Sequence, residues 1–588
     1  MASLLSIKNL SIQFNQDGNS GNAVNNNSFE VAAGELVAVV GESGSGKSVT
    51  ALSLLQLLPV QAKVSGEIIF HKDKPVDLLK LSLKEISSIR GNEIAMIFQE
   101  PMTSLNPVYT CGYQVMEAIQ LHLQVNKETA RKKTIELFEK VNLPDPVNLI
   151  NRYPHEISGG QKQRVMIAMA MSCYPALLIA DEPTTALDVT VQKTILELIR
   201  SLQQQNNMGV IFITHDLGVV ADIADKIVVM RKGEIVEQGS AKDILLNPQH
   251  QYTKALLACR PAGKAKGERL PVVSDFIKTE SKGQTASYKP QGKYPDVNSQ
   301  HDSADKQQTT DNPQDPLDKP PAKILEIQNL SVHFPVKKNL FGKTTQYFKA
   351  VDDVSFTVQQ GDIVGLVGES GCGKTTLGRS ILQLIKTTSG KILLDGNDLT
   401  QTNAEALRKM RKDLQIVFQD PYGSLNPRIT IGEAIMEPLK VHSVLSNNRQ
   451  RKEKVMELLD KVSLDTDHFN RYPHQFSGGQ RQRICIARAL ALNPSFLIFD
   501  ESVSALDVSV QAQVLNLLND LKAEFGFTAI FISHDLSVVH YICNRILVMY
   551  KGKIVEEGTA DQVYNHPIND YTRKLINAIP GKNMHQFS

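Results

Sequence analysis

The sequence predicts an α/β fold built from two copies of one unit, and three observations carry this prediction. The chain has 588 residues, about four times a typical domain length of roughly 150, which excludes a single core. The segment YPHEISGGQKQR at 153–164 recurs as YPHQFSGGQRQR at 472–483, an offset of 319. Short, fully apolar runs such as LVAVV (36–40) and IVGLV (363–367) precede helix-length stretches, a pattern typical of a buried, largely parallel sheet.

The repeat sets the expected domain boundaries. We expect a first unit at 1–259 and a second at 323–588, with helical lobes at about 100–175 and about 420–495. Between the units, residues 260–322 contain eight prolines, three aromatic residues and nearly balanced charges. Because such a stretch buries too little apolar surface to offset its ordering entropy, it is predicted to be a flexible linker.

Composition narrows the class of protein. The formal net charge is only +2, so composition does not demand a nucleic acid or an anionic membrane as partner. No apolar run approaches the roughly 20 residues of a membrane-spanning helix, and the start, MASLLSIKNLSIQF, lacks the features of a secretory signal. The six cysteines are scattered without a CxxC pair, which favours a reduced, cytosolic location and predicts no zinc or iron–sulfur site.

Two glycine-rich motifs predict nucleotide sites. GESGSGKS and GESGCGKT both fit the P-loop pattern G-x-x-x-x-G-K-[ST], and each lies between a strand-like run and a helix. Backbone N–H groups of such a loop surround phosphate at a helix N-terminus, the lysine reaches the β/γ oxygens, and the last hydroxyl faces Mg²⁺. The predicted nucleotide-binding residues are Gly41, Ser43, Gly44, Ser45, Gly46, Lys47 and Ser48, and Gly368, Ser370, Gly371, Cys372, Gly373, Lys374 and Thr375.

An acidic pair ends one apolar strand in each unit. In ALLIADE, Asp181 can approach Mg²⁺ and Glu182 can polarise an attacking water; Asp500 and Glu501 repeat this arrangement in SFLIFDE. An acidic residue at a strand end can also be a helix cap. Its position beside a P-loop in both units favours the catalytic interpretation.

The segment SGGQ at Ser158–Gln161 and Ser477–Gln480 forms a second phosphate-facing helix start in each unit. Since each unit already has a P-loop, we infer that each SGGQ closes a site on the other unit. With these motifs the sequence resembles the ATP-binding cassette (ABC) family, whose LSGGQ signature has Ile157 and Phe476 in place of leucine here.

The resemblance covers both units and implies a RecA-like P-loop core, an antiparallel β subdomain and a helical subdomain in each. It implies that ATP and Mg²⁺ bind, with Lys47 paired to the second signature and Lys374 to the first. It also assigns roles: Gln99 and Gln419 as Q-loop residues sensing Mg²⁺, Asp188 and Asp507 as D-loop residues, His215 and His534 as switch histidines. The signature residues are Ser158, Gly159, Gly160 and Gln161, and Ser477, Gly478, Gly479 and Gln480.

The roles of four residues are open to two interpretations. Phe14 and Phe334 occupy the position where this family stacks an aromatic ring on adenine, although a strand aromatic can equally be a core residue. Cys372 lies inside the second P-loop, where a helix N-terminus lowers a thiol pKa, and the alternative is an inert small residue. Ser502 replaces the proline that follows the glutamate in the first unit. The sequence therefore does not decide whether the two sites hydrolyse ATP at equal rates.

Segments outside the shared motifs resemble the peptide, opine and nickel importer branch. EPMTSLNP (100–107) and DPYGSLNPR (420–428) follow the Q-loop glutamines, and PQHQYTKALL (248–257) and HPINDYTRKLI (566–576) close the units. The fused arrangement is similar to oligopeptide, microcin C and glutathione import proteins. The resemblance implies an ATPase at the cytoplasmic face of the inner membrane, two polytopic permease subunits that rest coupling helices near the Q-loops, and an extracytoplasmic peptide-binding protein.

Two alternatives come from other classes. An exporter motor would share the motifs and act on a different permease. A tandem-cassette translation factor acting on ribosomes would join its units by a long, basic helical arm, and the proline-rich linker and the SLNP segments disfavour it. A DNA-repair cassette protein would carry zinc-binding cysteine clusters that this sequence lacks.

Overall fold

The computed structural model describes residues 3–16, 19–72, 74–99, 104–185, 187–264, 266–280, 322–338 and 344–582. Both units have the same two sheets and a helical lobe, which confirms the predicted α/β fold. Among the described residues, no helix has the length and apolarity needed to cross a bilayer.

The first unit contains a four-stranded antiparallel sheet and a six-stranded core sheet. Its strands are β1 (Ser3–Gln16), β2 (Asn19–Ala32), β3 (Leu36–Val40), β4 (Ala62–His71), β5 (Pro75–Asp77), β6 (Ile94–Ile97), β7 (Leu177–Asp181), β8 (Gly209–Thr214), β9 (Lys226–Arg231) and β10 (Glu234–Ser240). Its helices are α1 (Lys47–Leu54), α2 (Leu83–Ile89), α3 (Cys111–Leu123), α4 (Lys127–Lys140), α5 (Pro146–Leu149), α6 (Gly159–Ala170), α7 (Val189–Asn206), α8 (Leu217–Ile223), α9 (Ala241–Leu246) and α10 (Gln251–Ala258).

After α11 (Val273–Glu280), the second unit repeats this order. Its strands are β11 (Lys323–Lys338), β12 (Thr344–Gln359), β13 (Ile363–Val367), β14 (Ser389–Leu394), β15 (Asn397–Asp398), β16 (Leu414–Val417), β17 (Phe496–Asp500), β18 (Thr528–Ser533), β19 (Arg545–Tyr550) and β20 (Lys553–Thr559). Its helices are α12 (Lys374–Ile381), α13 (Ala404–Met410), α14 (Pro421–Ser424), α15 (Ile431–Val441), α16 (Asn448–Lys461), α17 (Gly478–Leu490), α18 (Val508–Phe525), α19 (Leu536–Ile542), α20 (Ala560–Asn565) and α21 (Asp570–Asn577).

The core sheets are parallel except at one edge. Their orders are β10-β9-β3-β8-β7-β6 and β16-β17-β18-β13-β19-β20, and only the pairs β9/β10 and β19/β20 are antiparallel. Strands β3, β7 and β8 are buried along their whole length, because α1 and the antiparallel sheet cover one face of the core sheet and helices cover the other. Polar side chains of these strands are therefore confined to their carboxyl ends, where ligands bind in open α/β sheets.

The described residues of 260–280, predicted above as part of the linker, pack against both units, and this part of the prediction is corrected. Leu270 and Val273 are buried in the core cluster that also holds Tyr541. The backbone N–H of Leu270 donates to Asn516 Oδ1 at 2.9 Å, and the Asn516 amide donates back to the Leu270 carbonyl at 2.7 Å. A few apolar residues within a proline-rich, charged stretch are enough for this packing because the two units supply the rest of the core. The segment 281–321 lies outside the described residues.

We expect Asn516→Ala to release this tail. The change leaves the buried N–H and carbonyl of Leu270 without partners, at a cost of about 1–3 kcal/mol. Trypsin cleavage after Arg269 should become roughly tenfold faster, since about 1.4 kcal/mol corresponds to a factor of ten in the open population. Glu197→Ala, at the equivalent exposed position of the first unit, is the control. Equal cleavage rates in the Asn516 variant and the wild type would contradict the packing described.

Candidate functional site

The carboxyl edge of each core sheet brings the predicted site residues together. In the first unit, β3 leads into the P-loop, β7 ends at Asp181, and β8 is followed by His215. Gln99 follows β6 at the same edge, and its Nε2 donates to Glu182 Oε2 at 3.1 Å. Residues that are more than a hundred positions apart in the sequence therefore form one cluster.

The P-loop of the first unit folds tightly around its own lysine. Lys47 is buried, and its Nζ donates to the carbonyls of Gly41 at 2.7 Å and Glu42 at 2.9 Å. A Cβ at Gly41 would lie 2.2 Å from the carbonyl oxygen of Met230, so only glycine fits there. Burial lowers the pKa of Lys47, and the charges of Glu182 and Asp507 oppose this shift.

A hydroxyl and a carboxylate meet at each predicted metal position. Ser48 Oγ donates to Asp181 Oδ1 at 3.0 Å, and Thr375 Oγ1 donates to Asp500 Oδ1 at 3.0 Å. Burial raises the pKa of Asp181 to about 6 and also raises the pKa of Asp500. These oxygen donors, together with carboxylates whose burial disfavours an uncompensated charge, fit a hard cation such as Mg²⁺.

Glu182 is held in a strained conformation by several partners. Its φ is 45°, a left-handed value that is uncommon for a non-glycine residue and is concentrated at functional sites. His215 Nδ1 lies 3.3 Å from one carboxylate oxygen, and Thr185 Oγ1 donates to the other at 2.9 Å. Burial alone would raise the pKa of Glu182, but His215, Thr185 and Lys47 outweigh it and lower the pKa to about 2.

The second unit repeats this geometry around Glu501, whose φ is 48°. Gln419 Nε2 donates to Glu501 Oε2 at 2.8 Å, and His534 Nδ1 lies 3.6 Å from the same oxygen. The pKa of Glu501 is lowered because His534 and Lys374 outweigh the effect of burial. Both glutamates are therefore ionised at neutral pH and share a histidine and a glutamine as neighbours.

Two differences distinguish the second site. Arg379 Nη2 lies 3.9 Å from Asp500, whereas Leu52 stands at the equivalent position of the first unit. Ser502, the residue that replaces the proline, is buried, and its hydroxyl has no hydrogen-bond partner within the described part of the chain.

Each P-loop is contacted by the D-loop of the other unit. Asp507 Oδ2 accepts from the N–H of Ser43 at 2.8 Å, and Asp188 Oδ1 accepts from the N–H of Ser370 at 2.7 Å. Asp507 Oδ1 also lies 3.9 Å from His215 Nδ1. The two units therefore face each other head to tail, and each contributes a carboxylate to the cluster of the other.

The signature segments are ordered within their own units. Ser158 caps helix α6 and Ser477 caps helix α17, each in a capping box with the glutamine three residues on. A Cβ at Gly159 or Gly478 would meet nothing within 4 Å. The described hydrogen bonds from one unit to the P-loop of the other come from the D-loop and from the start of the helix that follows it, and the open space beside Gly159 and Gly478 leaves room for closer approach.

The structure separates the alternatives at Cys372 and the two phenylalanines. Burial raises the pKa of the Cys372 thiol despite the nearby Lys374, which favours an inert small residue. Phe14 packs partly against the core of the β subdomain, while Phe334 has 40% of its surface exposed. Phe334 is therefore the more available of the two for stacking.

A pair of tyrosines that the sequence analysis did not assign supports the P-loops. Tyr252 OH accepts from the N–H of Glu42 at 3.0 Å, and Tyr571 OH accepts from the N–H of Glu369 at 2.9 Å. The offset of 319 between the two tyrosines is visible in the sequence. Each tyrosine lies roughly 200 residues from the glutamate that it contacts, so the sequence did not predict the contact. Thr190 and Ser509 of the opposite units also donate to Glu369 and Glu42.

Comparison with known proteins gives consistent matches. The family described as "ABC transporter" matches residues 24–185 and 351–504. The family described as "Oligopeptide/dipeptide transporter, C-terminal region" matches residues 236–279 and 555–586.

Relatives match over nearly the whole chain. The glutathione import ATP-binding protein GsiA of Pectobacterium atrosepticum is 47% identical over 584 residues, 98% of this chain and 89% of that protein. The protein of the same name in Escherichia coli (strain K12) is 47% identical over 582 residues, with 98% and 89% covered. A solved dimeric ATP-binding cassette with ADP and Pi is 28% identical, covers 40% of this chain and 98% of that chain, and has a TM-score of 0.37.

The head-to-tail contacts predict electrostatic effects across the interface. Burial lowers the pKa of His215, Glu182 outweighs this effect and raises it, and the charge of Asp507 raises it further; for His534, Glu501 and Asp188 act in the same way. We expect Asp507→Asn to lower the pKa of His215 and leave that of His534 unchanged, while Asp188→Asn does the reverse. NMR titration of ¹³C-labelled histidines measures both. A single variant that shifts both histidines equally, or neither, would contradict this arrangement.

Proposed function

The chain belongs to the ABC transporter family, as an importer ATP-binding subunit of the peptide-transporter type, and we propose that it is the motor that drives a separate pair of permease subunits for peptide uptake. It binds ATP and hydrolyses it. The observation that carries the proposal is the double set of site residues, each contacted by the D-loop of the other unit. The C-terminal region typical of oligopeptide and dipeptide transporters, which follows each ATPase core, supports the substrate class.

We assign phosphate binding to the P-loops and the signatures. The loop N–H groups and Lys47 or Lys374 neutralise phosphate charge at the start of α1 or α12. Phe334, and in the first unit Phe14, stack on adenine. The signature glycines Gly159 and Gly478, which have open space beside them, then close on the nucleotide held by the opposite P-loop and complete two composite sites.

We assign the chemical step to the two glutamates. Glu182 and Glu501 are ionised, so each can accept a hydrogen bond from the attacking water and act as general base. His215 and His534 hold these carboxylates and contact the γ-phosphate. Ser48, Asp181 and Gln99, and their counterparts Thr375, Asp500 and Gln419, would hold Mg²⁺, which neutralises charge on the transferred phosphoryl group.

Two exposed faces beside the Q-loops are suited to the coupling helices of permease subunits. The first face is largely apolar: Val108, Tyr109, Tyr113 and Leu121 are 70%, 46%, 46% and 71% exposed, and the two tyrosine rings stack at 4.8 Å. The second face carries exposed Arg428 and Glu433 at the positions equivalent to Val108 and Tyr113.

Beside the second face lies a cavity of about 330 Å³ lined by Arg411, His442 and Arg488. Arg488 donates to Glu437 Oε2 at 3.0 Å, so Glu437 offsets one of these cations. Because apolar and charged faces select different partners, each unit receives a different permease subunit.

The substrate is a small peptide, and glutathione is the first compound to test because the relatives are named for its import. An extracytoplasmic binding protein delivers it to the permease pair. The motor lies at the cytoplasmic face of the inner membrane and makes no contact with the peptide.

Both sites are expected to turn over. Glu182→Gln or Glu501→Gln alone should leave roughly half of the ATPase activity, and the double variant should lose about 10²–10⁴-fold, the usual contribution of a general base. Phosphate release by the purified chain or its membrane complex measures this, with Glu136→Gln as an exposed control. Complete loss from either single change would mean that the two sites are obligatorily coupled.

The proposed motor role is tested by purification in mild detergent and uptake in cells. Two polytopic membrane subunits should copurify stoichiometrically, and deletion of the gene should abolish ATP-dependent uptake of labelled glutathione or another short peptide. Leu121→Glu should release one permease subunit and Val441→Glu the other, while Ile568→Glu, at a residue that is 82% exposed, should release neither. Copurification of ribosomal particles, or of no membrane protein, would overturn the proposal.

A further inference from the structure

A cavity of about 720 Å³ lies between the C-terminal ends of the two units. Helices α8 and α9 of the first unit form its floor, and residues 579–582 at the end of the second unit close one side. Its walls are mainly small and apolar side chains: Ala221, Ala224, Ala241, Leu245, Leu257 and Ile579. The volume falls within the roughly 300–1,000 Å³ of small-molecule sites, and such sites favour domain interfaces.

The cavity exists because the two units differ at equivalent positions. At an offset of 319, His540 and Tyr564 of the second unit correspond to Ala221 and Leu245 of the first. The His540 and Tyr564 rings stack at 4.2 Å, and His540 Nε2 lies 2.8 Å from Asp561 Oδ1. These bulky side chains fill the space between α19 and α20, and Tyr564 also lines one side of the cavity. The alanine and leucine leave the corresponding space open between α8 and α9.

The charged groups around the cavity are mostly cationic. Lys242, Arg260 and Lys582 line it, and Asp225 is its one lining carboxylate. Asp225 accepts from both Nη atoms of Arg200 at 2.9 and 2.8 Å and from the N–H of Leu36 at 2.8 Å. Its charge is therefore already balanced within the protein.

The three cationic side chains differ in their hydrogen bonds within the protein. Arg260 Nη2 donates to the carbonyl of Pro580 at 2.8 Å, and Lys582 Nζ donates to Asn577 Oδ1 at 3.1 Å. No hydrogen bond or ion pair to Lys242 is found among the described residues. Lys242 stands where the second unit has Asp561, so the open groove also carries the opposite charge from the filled one.

We propose that this cavity is a binding site for a small amphipathic anion. The apolar walls take an aliphatic or aromatic body, and Lys242 at the rim faces a carboxylate or sulfonate. The ligand contacts both units next to the hydrogen bond between Arg260 and the Pro580 carbonyl. Ligand binding therefore stabilises the contact between the C-terminal ends of the two units. This site is separate from the nucleotide sites and does not depend on the proposed transport role.

Decanoate is a suitable probe, and isothermal titration calorimetry of the full chain below the micelle concentration tests the proposal. We expect one saturable site in the wild type. The double substitution Ala221→His and Leu245→Tyr copies the pair that the second unit already accommodates, so it should fill the cavity without unfolding the chain and weaken decanoate binding at least about tenfold, or 1.4 kcal/mol.

Three controls separate the cavity from its charge. Lys242→Gln should weaken decanoate binding about two- to fivefold, as expected for one exposed charge interaction, while Lys127→Gln in the helical lobe should not change it. Decanol and decylammonium should bind the wild type more weakly than decanoate. Retained ATPase activity shows that the filled variant is folded. Absence of saturable binding, equal binding by the filled variant, or equal binding of decanol would overturn the proposal.

Discussion

Burial of the core sheet on both faces is the constraint on which the rest of this structure depends. Strands such as β3 and β7 have no solvent-facing side, so their polar chemistry is confined to the carboxyl edge. There the P-loop, the Asp181–Glu182 pair and His215 meet, although these three motifs are far apart in the chain. The same edge forces strain: both glutamates have left-handed φ values, 45° and 48°, and hydrogen bonds to histidine and glutamine hold them in place.

A second consequence follows from placing two such edges face to face. Each P-loop exposes backbone N–H groups, and the D-loop carboxylate of the other unit accepts from one of them. A charged acceptor makes these hydrogen bonds stronger than neutral ones. The same aspartates change the pKa of the histidine across the interface, so the electrostatics of one site depend on the position of the other unit. The tail at 260–280 adds a separate apolar contact between the units, away from the nucleotide sites.

Duplication has preserved the catalytic edges and allowed the rest to diverge. The Ser/Thr–Asp pair, the Glu–His contact and the Gln–Glu contact recur with similar distances. In contrast, the faces beside the Q-loops differ in charge, and the groove filled by His540 and Tyr564 is open in the first unit. Packing around the nucleotide tolerates little change because positions such as Gly41 and Gly368 have a carbonyl oxygen 2.2 Å from any added Cβ.

The sequence by itself determined the duplicated α/β units and predicted most of the residues that meet at the carboxyl edges of the core sheets, because P-loops, acidic strand ends and signatures are local patterns with local physical reasons. Only the tertiary structure decided which residues these local motifs contact. The hydrogen bonds of Tyr252 to Glu42 and of Asp507 to Ser43 join residues hundreds of positions apart, and no local pattern encodes such contacts. Leu270 and Val273 were predicted as part of the linker because the few apolar side chains of that stretch cannot form a core alone. They are buried only because residues of both units complete the core, and Asn516 and Tyr541 of the second unit form hydrogen bonds to the same segment.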